Sequence, residues 1–323
     1  MKKAAFTILA AFAVLTAAAQ QTPRWLRQNA ISPDGATIAF VYQGDIWTVP
    51  STGGVARQLT TNPAHDTEPV WSPDGRYVVF ASFREGHKDL WAVGAQGGTP
   101  KRLTAFAGAE TPYTVAPDGS LYYGASIQAD AATSAFPGAR MLYRISLAEA
   151  LAAADEASLP RPAKVSSSDM AAVSVNAQGT VLYEDVKGYE DAFRKHHTSS
   201  VTRDVWMLRD GVHTKLTDFV GEDRNPVFAP DGESFFFISE RGEEPSLTGD
   251  WAGDANIWKQ PLSGGAPERI TSFKDNPVRY LSVSAGGTLC FSWNGDLYTM
   301  FLSLQKSSAL ARLLKMLTFP SLP

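Results

Sequence analysis

Short apolar runs of alternating or near-continuous hydrophobic character recur along the chain, each cut by a compact polar turn. Val70-Trp71 and Tyr77 to Phe80 flank Ser72-Pro73-Asp74-Gly75. The same turn stands at Ser32-Pro33-Asp34-Gly35, and near-copies stand at Ala116-Pro117-Asp118-Gly119 and Ala229-Pro230-Asp231-Gly232. Two eroded copies are Asn176-Ala177-Gln178-Gly179 and Ser284-Ala285-Gly286-Gly287. Proline presets φ for a first turn position and glycine accepts positive φ at the end, so each copy predicts a tight antiparallel connection. A third apolar run follows as Asp45-Ile46-Trp47, Asp89-Leu90-Trp91, Asp204-Val205-Trp206, Asn256-Ile257-Trp258 and Asp296-Leu297-Tyr298, with Met141-Leu142-Tyr143 in the third repeat. A fourth ends in Leu59-Thr60, Leu103-Thr104, Leu216-Thr217 and Ile270-Thr271.

Four strands in roughly forty residues, repeated, describe the blade of a β-propeller. The expected fold is therefore all-β: a six-bladed β-propeller of four-stranded antiparallel blades. The aromatic of the third strand is read as filler between neighbouring blades rather than a ligand-stacking ladder. Turn spacing grows from 40 residues (Asp34 to Asp74) to 60 (Asp118 to Gln178), and the excess belongs in loops. One such loop, Leu147 to Leu159, predicts a short helix with Ser146 as its cap. The sixth repeat shows no fourth strand of its own. Thr22 to Arg27 resembles the fourth strand Thr99 to Thr104, so the N-terminal strand is expected to close the ring. His65-Asp66 reads as a turn.

Residues 22–300 thus form the expected propeller. Ahead of them, Lys2 and Lys3 precede an apolar stretch, Ala4 to Ala19, ending in Ala17-Ala18-Ala19. That is the pattern of a secretory signal peptide over residues 1–19, and it predicts a periplasmic or secreted protein without stable membrane insertion after cleavage. Residues 301–323 match nothing in the repeat and stay unassigned. Leu310, Leu313, Leu314 and Leu317 share one face if the segment is helical, with Ser308 as a cap. A docking helix, a helix packed on the propeller and a frame-shifted tail are all compatible with it.

Composition narrows the chemistry. The 323 residues carry 44% hydrophobic and 19% charged side chains and a formal net charge of -4, with no basic patch for nucleic acid. Cys290 is the one cysteine, which excludes an internal disulfide. Its setting, Thr288 to Trp293, is that of a buried strand. No Gly-x-Ser-x-Gly elbow occurs, and no catalytic residue is assigned. No cofactor or metal is expected: Asp250, Asp254 and Asn256 lack the calcium-loop spacing, and adjacent His196 and His197 would point to opposite faces of a strand.

The stretch Asp185 to Thr202 remains the main candidate for binding. Arg194, Lys195 and Arg203 lie on either side of the two histidines, with Glu190 and Asp191 before them. Pairing of these charges within the loop is one reading. Another makes Arg194, Lys195, His196, His197 and Arg203 a peptide-binding set at one channel mouth, where arginine suits a carboxylate. Glu222-Asp223-Arg224 reads as an ion pair between blades.

The repeats resemble those of TolB-type and tricorn-type propellers. Lys187 to Trp206 and Lys215 to Gly232, with the opening Leu26 to Thr60, are similar to the N-terminal β-propeller of secreted bacterial tricorn-like serine peptidases. That resemblance implies a non-catalytic domain that guides or gates peptides toward a peptidase domain outside this chain, which makes proteolysis a property of the family. It also implies a possible homo-oligomer. The alternative is a stand-alone TolB-type propeller that binds an envelope protein.

Overall fold

The computed structural model describes residues 25–106, 108–126, 140–188, 199–242, 254–301, 311–313 and 317–318. Six four-stranded sheets follow one another along the chain, each an antiparallel meander. Their first strands are Arg27–Ile31, Asp66–Trp71, Glu110–Val115, Met170–Val175, Asp223–Phe228 and Arg279–Val283. Each touches the first strand of the next sheet, and the sixth touches the first. The first strands are therefore innermost, and the sheets are blades 1 to 6 of a closed ring. The sequence expectation of a six-bladed all-β propeller holds.

The turns behave as their chemistry requires. In blade 2 the Ser72 hydroxyl donates to Asp74 at 2.6 Å, and Asp74 accepts from the Arg76 N–H at 3.0 Å. The Ser72 oxygen accepts from the Tyr77 N–H at 2.9 Å. These bonds hold the Asp74 carboxyl well below the usual carboxylate range, at about 2. Gly75 takes φ +69°, in the left-handed region that favours glycine.

The recurring Leu-Thr signature has an equally local cause. The hydroxyls of Thr60, Thr104, Thr217 and Thr271 accept from the third-strand N–H of Ile46, Leu90, Val205 and Ile257 at 2.9–3.0 Å. Each threonine thus pins the outer strand to its neighbour where strand pairing has run out. Thr271→Val, which keeps the shape but orphans the buried Ile257 N–H, should cost about 1–3 kcal/mol. Chemical denaturation of Thr271→Val beside Thr271→Ser checks this, with serine expected to retain most of the stability.

The third-strand aromatics Trp47, Trp91, Tyr143, Trp258 and Tyr298 are buried between blades, as the sequence reading requires. Helix α1 (Leu147–Ala152) starts at Ser146, whose side chain accepts from the Glu149 N–H. Cys290 is fully buried, and burial pushes its thiol up to about 12. Asp66 is not a turn residue. It is fully buried on the inner strand of blade 2, with both oxygens on the Arg84 guanidinium at 2.8 and 2.9 Å.

Closure differs from the expectation. The outer strand of blade 6 is Ala311–Leu313, paired antiparallel with Asp296–Phe301. The N-terminal segment does not take that place. Its residues 22–24 lie outside the described residues, and Leu26 meets blade 6 through one backbone bond, to the Gly295 carbonyl at 3.1 Å. The physical reason is proximity. The C-terminal segment follows Phe301 as the next strand of the same meander, so little loop entropy opposes it. The helical reading of the tail is corrected as well, since Ala311–Leu313 and Leu317–Thr318 are extended, the latter pairing in parallel with Gly54–Val55. Ser308 and Leu310 lie outside the described residues.

The ring nonetheless closes at its two ends by hydrogen bonds between blades 1 and 6, most of them through side chains. Asn29 Nδ2 donates to the Tyr280 carbonyl at 2.9 Å and toward Cys290 Sγ at 3.2 Å. The Ile31 N–H reaches Ser282 Oγ at 3.1 Å, and the Ala285 N–H reaches the Pro33 carbonyl at 2.9 Å. Leu26, Ile31, Cys290 and Leu297 share one apolar cluster.

Candidate functional site: the charged mouth of the ring

An antiparallel meander sends alternate connections to opposite ends of the blade. The Ser-Pro-Asp-Gly turns therefore occupy one face of the ring. The long connections between second and third strands, and the linkers between blades, occupy the other. The long second-to-third connections thus gather around one mouth of the channel, whereas the helix after Met141–Ser146 lies on the turn face, its Leu147 N–H on the Gly119 carbonyl.

Numbering each repeat back from its turn shows what builds this mouth. Eight residues before the turn aspartate, or its counterpart, at or just before the start of the inner strand, stand Leu26, Asp66, Glu110, Met170, Asp223 and Val278, and all six are buried. One residue further in stand Arg27, Thr67, Thr111, Ala171, Arg224 and Arg279. Blades 5, 6 and 1 thus place arginine side by side on the innermost strands. Arg27 is exposed and stands over the Trp25 ring at 5.5 Å. The sequence reading missed this arc, although aligning the repeats on their turns would have shown it.

Arg203, the one member of the predicted set among the described residues, lies beside the arc on the blade 4 side. Its guanidinium pairs with Glu184, and its N–H donates to Glu222 Oε2 at 3.3 Å. Arg224 Nε donates to the same Glu222 oxygen at 2.8 Å, and the Asn225 N–H donates to Glu184 Oε2 at 2.9 Å. These four charged groups link blade 4 to blade 5, which agrees with the sequence reading of Glu222 and Arg224. Burial works against the Arg224 charge, but Glu184, Glu222 and Glu240 outweigh it and raise its pKa. Asp223 pairs elsewhere, with Arg241 at 2.6 Å. Arg194, Lys195, His196 and His197 lie outside the described residues.

Next to this network is a cavity of about 470 Å³. Lys187, Ser199, Ser200, Thr202, Asp204 and Lys215 give it a polar floor, and Phe219 and Val220 an apolar wall. Lys187 Nζ donates to the Thr202 carbonyl at 2.5 Å and to Asp204 Oδ2 at 2.7 Å, and Lys215 Nζ meets the same oxygen at 3.0 Å. Burial opposes the Lys187 charge, while Asp204 and Asp185 raise its pKa. Lys187 is therefore structural, whereas the Lys215 side chain is 41% exposed and keeps donors for a ligand. Of the residues weighed for a calcium loop, Asp250 lies outside the described residues, and Asn256 Oδ1 accepts from Thr271 and from the Phe273 N–H, both at 2.8 Å. Among the described residues, no three metal-ligating side chains gather.

The tricorn protease N-terminal beta propeller domain matches residues 23–306. The chain belongs to this family. Its fold overlays the crystal structure of the tricorn protease with a TM-score of 0.68 at 21% identity, covering 94% of this chain and 27% of that one. TolB from Acinetobacter baumannii overlays at 0.51 with 14% identity, covering 88% of this chain and 65% of that one. Both identities are low enough that these likenesses speak for the fold alone. At the level of single repeats, the chain is 41% identical over 70 residues to the uncharacterized peptidase YuxL of Bacillus subtilis (strain 168). That match covers 20% of this chain and 10% of YuxL. The chain therefore spans about a quarter of the tricorn protease and a smaller part of YuxL.

Proposed function

We propose that this chain is the substrate-side propeller of a tricorn-like peptidase, receiving peptides at its charged mouth and passing them toward catalytic residues outside this chain. The family match over residues 23–306 carries this reading. The mouth adds chemistry suited to it: the exposed Arg27 on the inner strand of blade 1, and, beside the outer strand of blade 4, a cavity joining an accessible ammonium and hydroxyls to an apolar wall. A peptide's carboxylate fits the Lys215 ammonium, and its apolar side chains fit Phe219 and Val220. Arg203, held by Glu184, frames this mouth, and Arg194, Lys195, His196 and His197 precede it in the sequence. The N-terminal pattern of residues 1–19 supports action in the periplasm or outside the cell. The TolB-type alternative has weaker support, since the match to the Tol-Pal protein TolB of Nitratidesulfovibrio vulgaris covers 15% of this chain.

Fluorescence anisotropy with labelled unstructured peptides, in free-carboxylate and C-terminally amidated forms, tests the proposal. The free-carboxylate peptide should bind more tightly, and Lys215→Gln should weaken it about tenfold, the loss of one charge-assisted bond. Absence of binding by every peptide, together with capture of a folded envelope protein, would favour the alternative.

A further inference from the structure

Three seams between blades open with a buried acid at the head of the inner strand, and two of those acids are matched by arginine. Asp66 is gripped by Arg84, and Asp223 by Arg241. Each arginine lies two residues beyond its blade's second strand, in Ser82-Phe83-Arg84 and Ser239-Glu240-Arg241. Each is stacked on the third-strand tryptophan, Arg84 over Trp91 at 4.7 Å and Arg241 over Trp258 at 5.6 Å.

Blade 3 breaks the pattern at every point. The acid is Glu110, fully buried, and two residues past its second strand the sequence has Ile127, which lies outside the described residues. No lysine or arginine occurs between Arg102 and Arg140. The aromatic is Tyr143, packed against Tyr123 with ring centres 6.1 Å apart. Glu110 accepts from the Thr104 hydroxyl and draws some help from the Leu90 backbone N–H, while among the described residues its Oε1 and the buried Tyr123 hydroxyl have no hydrogen-bond partner.

The charged groups around it compensate little: Arg102 favours the charged form only weakly against the burial. Asp89, from blade 2, adds a second negative charge. Arg102 is committed to that Asp89 at 2.7 Å and to Glu156. Lys88 donates to Glu68 at 2.7 Å and to Thr111 at 3.2 Å. A buried carboxylate without a cation is costly, and a carboxyl group in that position keeps its proton instead.

We propose that Glu110 is a proton latch: its carboxyl is neutral in the closed ring, and loss of that proton loosens the seam between blades 2 and 3. On release the carboxyl O–H bond breaks, the proton passes to solvent water or buffer, and the carboxylate is hydrated in the opened seam. The proposal rests on the fold and is independent of the peptide-handling reading. Burial raises the Glu110 pKa to about 8 from an ordinary 4.5. The folded state therefore holds one proton more than the unfolded state between those values. The latch is fully engaged below the unfolded value and is lost as pH rises through the folded one. Across that window the unfolding equilibrium constant should rise about tenfold per pH unit relative to a chain without the titrating group.

Denaturant melts of the wild-type chain and Glu110→Gln from pH 5 to 8 give the first test. The wild type should lose stability relative to the glutamine variant by one proton's slope. Parallel pH profiles overturn the proposal. Should the variant fail to fold, two measurements on the wild type decide. Infrared spectra at pH 6 and pH 9 should show a protonated-carboxyl C=O band that disappears at the higher pH. Hydrogen exchange should show the Leu90 and Glu110 amides opening with rising pH beyond the change at Ile46 and Asp66, their counterparts at an arginine-matched seam. Absence of a titrating band, or equal opening at both seams, overturns it.

Discussion

Arg84→Leu is expected to destabilise the ring by about 3–5 kcal/mol, because it strands the Asp66 carboxylate in the seam between blades 1 and 2. Asp66 is fully buried and takes both of its guanidinium bonds from this one residue. The loss also removes the cation stacked over Phe80 and Trp91 at 5.2 and 4.7 Å. The melting temperature should fall by roughly 10 °C. The double variant Asp66→Leu/Arg84→Leu should recover most of that loss. Replacing a buried ion pair with apolar side chains is often neutral, and the same strand position already holds Leu26, Met170 and Val278 in other blades. Calorimetry of the two single variants and the double variant checks the cycle. A double variant as unstable as Arg84→Leu would mean that the seam needs the charges themselves.

The second large effect concerns Asn225. The inner strands carry a bulge near their start, where Gln28, Glu68, Ala172, Asn225 and Tyr280 take positive φ and Pro112 does not. Asn225, at φ 51°, turns its amide toward blade 6, accepting from the Leu281 N–H at 2.8 Å and donating to the Leu281 carbonyl at 3.2 Å. Asn225→Ala removes both bonds from a buried backbone and forces alanine into the left-handed region, for an expected loss of about 2–4 kcal/mol. Asn225→Gly loses the bonds but tolerates the backbone, so it should be the milder by about 1 kcal/mol. Urea unfolding of the pair separates the two causes. Wild-type stability in Asn225→Ala would show that blades 5 and 6 are held by apolar packing alone.

Much of the architecture was legible because its determinants are local. Each Ser-Pro-Asp-Gly turn closes with bonds spanning no more than five residues, from Ser32 to Thr37 and from Ser72 to Tyr77. The Leu-Thr signature likewise reports a short-range bond, Thr104 to Leu90 for example. Such contacts repeat wherever their residues repeat, so counting repeats counted blades. The candidate site was only partly legible. Arg203 drew notice for its charge, but its partner Glu184 lies on another strand and Glu222 in the linker to the next blade. The arginine arc formed by Arg27, Arg224 and Arg279 is dispersed over the chain and becomes an arc only when blades 5, 6 and 1 meet.

Alone, the chain's order of residues determined the blade, its number and the turn-lined face, since each depends on backbone preferences and neighbouring side chains. The tertiary structure decided which segment completes blade 6, which acids find an arginine and which is left with a proton. Those outcomes depend on groups far apart in sequence competing for the same space, where burial makes an unmatched charge more costly than any local preference can offset.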